Sequence, residues 1–93
     1  MKKLTMFYLE NCPYCRNAQA ALAALRELDP AYAEVEIEMI EESRQPELAD
    51  QYDYYSVPTI YEGDRKLYEA KLFDSYDVIK DNLQAALDLA LER

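Results

Sequence analysis

Ninety-three residues, 51% of them hydrophobic, suffice for one core and leave no room for a second, so residues 1–93 are expected to form a single domain. Nineteen acidic residues against ten basic give a formal net charge of -9, which argues against nucleic acid and anionic membrane as partners, because phosphate binding needs clustered cations. No apolar run approaches the ~20 residues of a membrane span, and Leu4–Leu9 falls short of the ~7–15-residue apolar core of a secretion signal, so a cytoplasmic chain is expected.

The first element is a strand over Lys3–Leu9. It is apolar on both faces, as a central strand covered from both sides would be. Glu10-Asn11 is a short connection. A helix is predicted from Pro13, since proline suits the first helical position, where its missing N–H is no loss. Ala18, Ala21, Leu22, Leu25 and Leu28 recur at helical spacing and form its expected buried face. Asp29-Pro30 ends it.

Residues Glu34–Ile40 alternate strictly, with Val35, Ile37 and Met39 expected inside and Glu34, Glu36 and Glu38 outside. A row of carboxylates suits an edge strand, where charge discourages pairing with other chains. A second helix is predicted over Glu42–Tyr52 with Ser43 as N-cap and Leu48, Ala49 and Tyr52 as its apolar face. Asp53–Ser56 is a loop. Val57–Tyr61 and Lys66–Ala70 are strands, and Gly63, the one glycine of the chain, marks the hairpin turn between them. The last helix starts near Asp74 or Ser75. Asp74 as N-cap with Asp77 three residues on would form a capping-box variant. Val78, Ile79, Leu83, Ala86, Leu87 and Ala90 trace its apolar face.

The order is β-α-β-α-β-β-α, an α/β pattern. Two βαβ crossovers predict parallel strands and the hairpin adds an antiparallel edge, giving a four-stranded mixed sheet with helices on both faces. That arrangement fits the thioredoxin-like fold.

Both cysteines lie in Cys12-Pro13-Tyr14-Cys15, where the first strand gives way to the first helix. Two thiols at this spacing can make and break a disulfide between themselves. A cysteine at a helix start faces unsatisfied N–H groups and the positive end of the helix dipole, and both favour the anion. Cys12 is therefore expected to attack and Cys15, one turn in, to resolve. Glu10 opposes the anion at Cys12, and Arg16 opposes Glu10. The competing readings are a structural disulfide, which is strained at this spacing, half a zinc site completed by a second chain, and two ordinary core cysteines. No histidine is present, which removes Cys–His and Ser–His catalysis and any Cys₂His₂ zinc site. A second motif, Ser56-Val57-Pro58-Thr59-Ile60, opens a strand with a proline that cannot donate to a ladder. It is either an ordinary strand-start proline or a cis-proline loop. The latter would turn the Val57 backbone toward a substrate that pairs as an extended strand.

Cys12-Pro13-Tyr14-Cys15 after a strand, with Val57-Pro58 before the third, resembles the dithiol glutaredoxins of the thioredoxin superfamily. The resemblance spans essentially the whole chain. It implies a thiol–disulfide oxidoreductase with Cys12 as nucleophile and Cys15 as resolver. It also implies a substrate groove formed by Pro13, Tyr14, Val57 and Pro58, with Asp74 matching an aspartate that follows a glycine pair in the family. No metal and no tightly bound cofactor are implied. Glutathione is the implied co-substrate, a thioredoxin reductase the rival reductant, and disulfide-containing proteins the partners. Leu9 stands where the family carries Lys or Arg. Ala70-Lys71-Leu72-Phe73 stands where it carries glycines that let backbone N–H groups hold a glutathione carboxylate. Together with the charge of -9, these departures weigh against a tight glutathione site, and Lys71 compensates in part. The non-enzymatic alternatives are an iron–sulfur-bridging protein and a redox-regulated binding module without turnover.

Overall fold

The two-sided apolarity of the first strand follows from its place in the sheet. The structure, a computed structural model, describes residues 1–93. Its strands are β1 (Leu4–Tyr8), β2 (Ile37–Glu41), β3 (Thr59–Glu62) and β4 (Arg65–Glu69), ordered β2-β1-β3-β4. β1 is central, and Leu4, Met6 and Phe7 are each fully buried. The helices are α1 (Pro13–Leu28), a single turn α2 (Pro30–Ala33), a second single turn α3 (Pro46–Ala49) and α4 (Tyr76–Ala90).

β1 and β2 run parallel, from Leu4 opposite Ile37 to Tyr8 opposite Glu41. β3 is antiparallel to β1, with Met6 opposite Ile60, and β4 is antiparallel to β3. The expected second parallel crossover is thus corrected. The chain leaves β2 through one helical turn, not a full crossover helix, and returns on the other side of β1 in the opposite direction. The predicted helix over Glu42–Tyr52 shortens accordingly to Pro46–Ala49. Ser43 is not its cap; both the backbone N–H and the hydroxyl of Ser43 donate to the carboxylate of Glu41.

The main core lies between one sheet face and the packed pair α1 and α4. Leu4, Met6 and Ile60 of the sheet meet Ala18, Leu22 and Leu25 of α1 and Ile79, Leu83 and Leu87 of α4. Burying each of the larger side chains contributes about 1.5–3 kcal/mol. Leu28 and Val78 depart from the expected faces: Leu28 is exposed at the last residue of α1, and Val78 sits on the outer side of the first turn of α4. The opposite sheet face is covered by a smaller cluster of Phe7, Ile40, Ala49 and Tyr61, flanked by Leu48, Tyr52, Tyr54 and Val57. Phe7 stacks on Tyr54 with ring centroids 4.9 Å apart, and Tyr52 meets Tyr61 edge-on at 4.9 Å.

β2 starts later than its alternation predicts, at Ile37, although Val35 is buried. It is an edge strand, as its carboxylates suggest, and Lys3 reaches over to both Glu36 (3.5 Å) and Glu38 (3.2 Å). Gly63 turns the β3–β4 hairpin at φ 60°, a left-handed conformation open to glycine without steric cost. No helix is long and apolar enough to cross a membrane.

Candidate active site

The chain leaves β1 through Leu9–Asn11 and enters α1 at Cys12. Cys12 is the N-cap, with extended backbone (φ -101°, ψ 121°), and its Sγ accepts the backbone N–H of Cys15 at 3.3 Å. The sulfur thus takes the place of the hydroxyl or carboxylate oxygen that caps most helices. Pro13 follows at the first helical position, and the Arg16 N–H closes the first turn on the Cys12 carbonyl at 2.9 Å.

The two sulfurs meet different surroundings. Cys12 is half-buried, Cys15 buried, and both are free thiols. The Sγ of Cys15 accepts the Leu9 N–H at 3.5 Å. Burial pushes the Cys15 thiol up to about 12; the Leu9 N–H pulls the other way, while the neighbouring Cys12 sulfur adds to the rise.

The Val57–Pro58 bond is cis, and this loop faces Cys12, whose thiol donates to the Val57 carbonyl at 3.8 Å. Several contacts fix the loop. The Thr59 hydroxyl donates to the Ser56 carbonyl. The Glu69 carboxylate accepts the N–H groups of Tyr55 and Ser56, both at 2.8 Å, and pairs with Lys66 at 2.7 Å. Ala70 N–H donates to the Pro58 carbonyl at 3.0 Å.

On the other side of Cys12, the buried carboxylate of Glu41 accepts the Glu10 N–H at 3.2 Å and the Ser43 hydroxyl and N–H at 2.6 and 2.7 Å. The Ser43 hydroxyl foremost holds the Glu41 carboxyl below its usual range, against its own burial. Glu10 pairs with Arg44 at 2.5 Å; its expected neutralising partner was Arg16. Periodicity alone does not single out Glu41 or Glu69. A carboxylate ending a strand beside Ser43, or beside Ala70, is the signal that could have marked them.

Tyr14 lies between the cysteines. Its hydroxyl accepts the backbone N–H of Phe73 at 2.8 Å, tying the start of α1 to the β4–α4 turn. Asp74 sits in that turn, but its carboxylate accepts the Tyr68 hydroxyl at 2.6 Å and the Lys71 N–H at 2.9 Å. Asp74 is therefore not the N-cap of α4. Ser75 is, its hydroxyl accepting the Val78 N–H at 3.2 Å. The Tyr68 hydroxyl foremost, then the Lys71 N–H, keep the Asp74 carboxyl below its ordinary range. Tyr14, Ser56, Val57, Ala70, Lys71 and Leu72 line a groove of 230 Å³. Cys12, Pro13, Tyr14, Val57 and Pro58 thus come together, and Asp74 holds the turn that borders them. No group of three or more Cys, Asp or Glu side chains is placed to hold a metal ion.

A family model described as Glutaredoxin matches residues 4–67. No curated protein matches the sequence. Among solved structures, the chain is similar to thioredoxin 1 from Thermosipho africanus TCF52B, at 15% identity and a TM-score of 0.59, covering 96% of this chain and 98% of that one. It is similar to the Fasciola hepatica thioredoxin, at 19% identity and a TM-score of 0.62, with 94% and 78% covered. It is also similar to a malarial protein, at 18% identity and a TM-score of 0.63, with 95% and 94% covered. These likenesses establish the thioredoxin fold.

Proposed function

This chain belongs to the glutaredoxin family, and from that footing we propose that it is a thiol–disulfide oxidoreductase reducing protein or mixed disulfides through Cys12 and Cys15. The observation that carries this reading is the asymmetry of the pair. One sulfur caps a helix at the surface, and the other is buried one turn below it.

In the proposed cycle, the Cys12 thiolate attacks a substrate disulfide. The substrate S–S bond breaks, one substrate sulfur leaves as a thiolate and takes a proton from solvent, and Cys12 is left in a mixed disulfide. Cys15 then loses its proton and attacks the Cys12 sulfur. The second substrate thiol departs, and two electrons have passed from the dithiol to the substrate. Attack on the Cys12 sulfur keeps the reaction within one helical turn, which raises the effective concentration of the resolving thiol. Val57, with Pro58 behind it, offers backbone groups to the substrate chain, and Pro13 and Tyr14 border the groove. An external thiol reductant resets the pair, either glutathione or a flavoprotein thioredoxin reductase. The N–H groups of Lys71 and Phe73 are already bonded within the protein, which supports the reductase over glutathione. Reduction of this kind suits a reducing compartment such as the cytoplasm.

The test uses an insulin-type disulfide reduction assay with either glutathione and its reductase or a thioredoxin reductase. Cys12→Ser is expected to abolish turnover, and Cys15→Ser to accumulate a mixed disulfide with the substrate, visible by non-reducing electrophoresis. A Cys12→Ser protein as active as the wild type would sink the proposal.

A further inference from the structure

We propose that the β4–α4 turn, through Leu72 and Phe73, makes this protein selective for polypeptide disulfides that carry an apolar side chain beside the reactive cysteine. The proposal rests on the redox reading above and names the substrate class of that same site.

The three most exposed large apolar side chains of the molecule are Tyr55 (94% exposed), Phe73 (86%) and Leu72 (74%). One of them lines the groove beside Val57, and the other two sit next in the chain to residues that line it. Leu72 lines it, Tyr55 adjoins its wall at Ser56, and Phe73 is bonded through its N–H to Tyr14, which lines it too. The groove reaches the redox pair through Val57, whose carbonyl accepts the Cys12 thiol. Exposed apolar groups gathered at one place mark a contact surface more often than scattered ones do.

Folding does not account for these residues. Phe73 stands at φ 72°, a left-handed conformation that a side chain disfavours and glycine accepts freely. A phenylalanine there, turned to solvent, gains no burial in exchange. The backbone that carries the three side chains is nonetheless fixed. The Tyr55 and Ser56 N–H groups are held by Glu69, the Phe73 N–H by Tyr14 and the Lys71 N–H by Asp74. The apolar groups are thus presented on a set frame, which lowers the ordering cost of binding.

The chemistry of the neighbouring sulfur names the occupant. A substrate attacked at Cys12 must place its own cysteine there, so the groove beside Val57 receives the segment adjoining that cysteine. A small anionic thiol finds little to hold it. The N–H groups of Lys71, Phe73 and Asp74 are committed to the Asp74 carboxylate, the Tyr14 hydroxyl and the Lys71 carbonyl. Lys71 is the one cation lining the groove, in a chain of net charge -9. An apolar side chain finds Leu72 in the groove, with Phe73 and Tyr55 exposed at the residues adjoining its lining.

The test is a single-turnover reaction, which needs no reductase. Pre-reduced protein is mixed with one of two disulfide-linked peptides, identical except for phenylalanine or serine next to the cysteine, and loss of protein thiols is followed. Wild type is expected to react about tenfold faster with the phenylalanine peptide. The Leu72→Ser/Phe73→Gly double variant is expected to bring that ratio close to one; glycine suits the left-handed position, so the turn keeps its shape. Leu72→Ser alone, which leaves that position untouched, should lower the ratio part of the way. A wild-type ratio near one, or a ratio unchanged in the double variant, overturns the proposal and leaves the redox reading standing. Failure of the wild type to react with either peptide overturns both.

Discussion

Burial pushes the Cys15 thiol up to about 12, while Cys12, two residues beyond Glu10, meets solvent. Because the folded-state value is raised, the protonated Cys15 thiol contributes stability that is complete below the ordinary thiol value and fades as pH climbs toward 12. The same shift separates the two thiols in reactivity, since the thiolate is the reacting form. At a pH of about 9.5, iodoacetamide is expected to alkylate Cys12 and spare Cys15 in the folded, reduced protein, as read by peptide mass spectrometry. Equal modification of both would contradict the burial argument. The sequence placed Cys12 and Cys15 at the strand–helix junction and Val57-Pro58 before a strand, because those positions follow from local chemistry: a proline at a helix start and a proline that cannot donate to a ladder. The partners of Asp74 were beyond its reach. Whether a carboxylate caps a helix or is drawn back to the Tyr68 hydroxyl depends on where a strand six residues earlier leaves its side chain.

At the level of elements, long-range contacts decide what periodicity leaves open. Alternation and helical spacing found β1, α1, the β3–β4 hairpin and α4 within a few residues. The segment after β2 went astray because Leu48, Ala49 and Tyr52 carry a helical pattern, yet they are used one turn at a time to cover Phe7 and Ile40. The orientation of β3 is decided by its antiparallel pairing with β1, and no pattern within β3 announces it. The bond between Tyr14 and Phe73 joins residues 59 positions apart, and no local signal announces it. It makes the turn before α4 an extension of the redox helix. Tyr14→Phe removes the acceptor while keeping the ring. The Phe73 amide is expected to exchange its hydrogen faster by roughly fivefold, in line with a hydrogen bond of about 1 kcal/mol, while the amides of Leu22 and Leu25 in the middle of α1 keep their protection. Unchanged exchange at Phe73 would show that the tie carries no energy.

Across the whole molecule, nineteen acidic residues must be accommodated, and the fold sorts them. Most stay at the surface, where pairs such as Lys3 with Glu36 and Glu38 contribute little. Four are held by specific donors that lower their titration: Asp29 by Arg93 foremost, Glu41 by the Ser43 hydroxyl, Asp74 by the Tyr68 hydroxyl and Glu69, against its own burial, by Lys66 and the Tyr55 and Ser56 N–H groups. Groups with depressed folded-state values stabilise fully above the ordinary carboxylate range, and that contribution is lost as pH falls through the lowered values. Acidification from neutrality first relieves the repulsion of a chain at -9, so the urea midpoint is expected to hold or rise slightly down to a pH of about 5 and to drop below about 4. Glu41→Gln should flatten that drop; an acid limb identical to the wild type would exclude Glu41 as a contributor. The cluster that covers the far face of the sheet has a consequence of another kind. The chain has nine tyrosines and no tryptophan, and Tyr52, Tyr54 and Tyr61 crowd around Phe7 on the face that Val57 flanks. Chirally fixed rings in mutual contact rotate polarised light strongly in the near ultraviolet, so the protein carries its own optical gauge of that face, with no added dye and no indole signal to mask it.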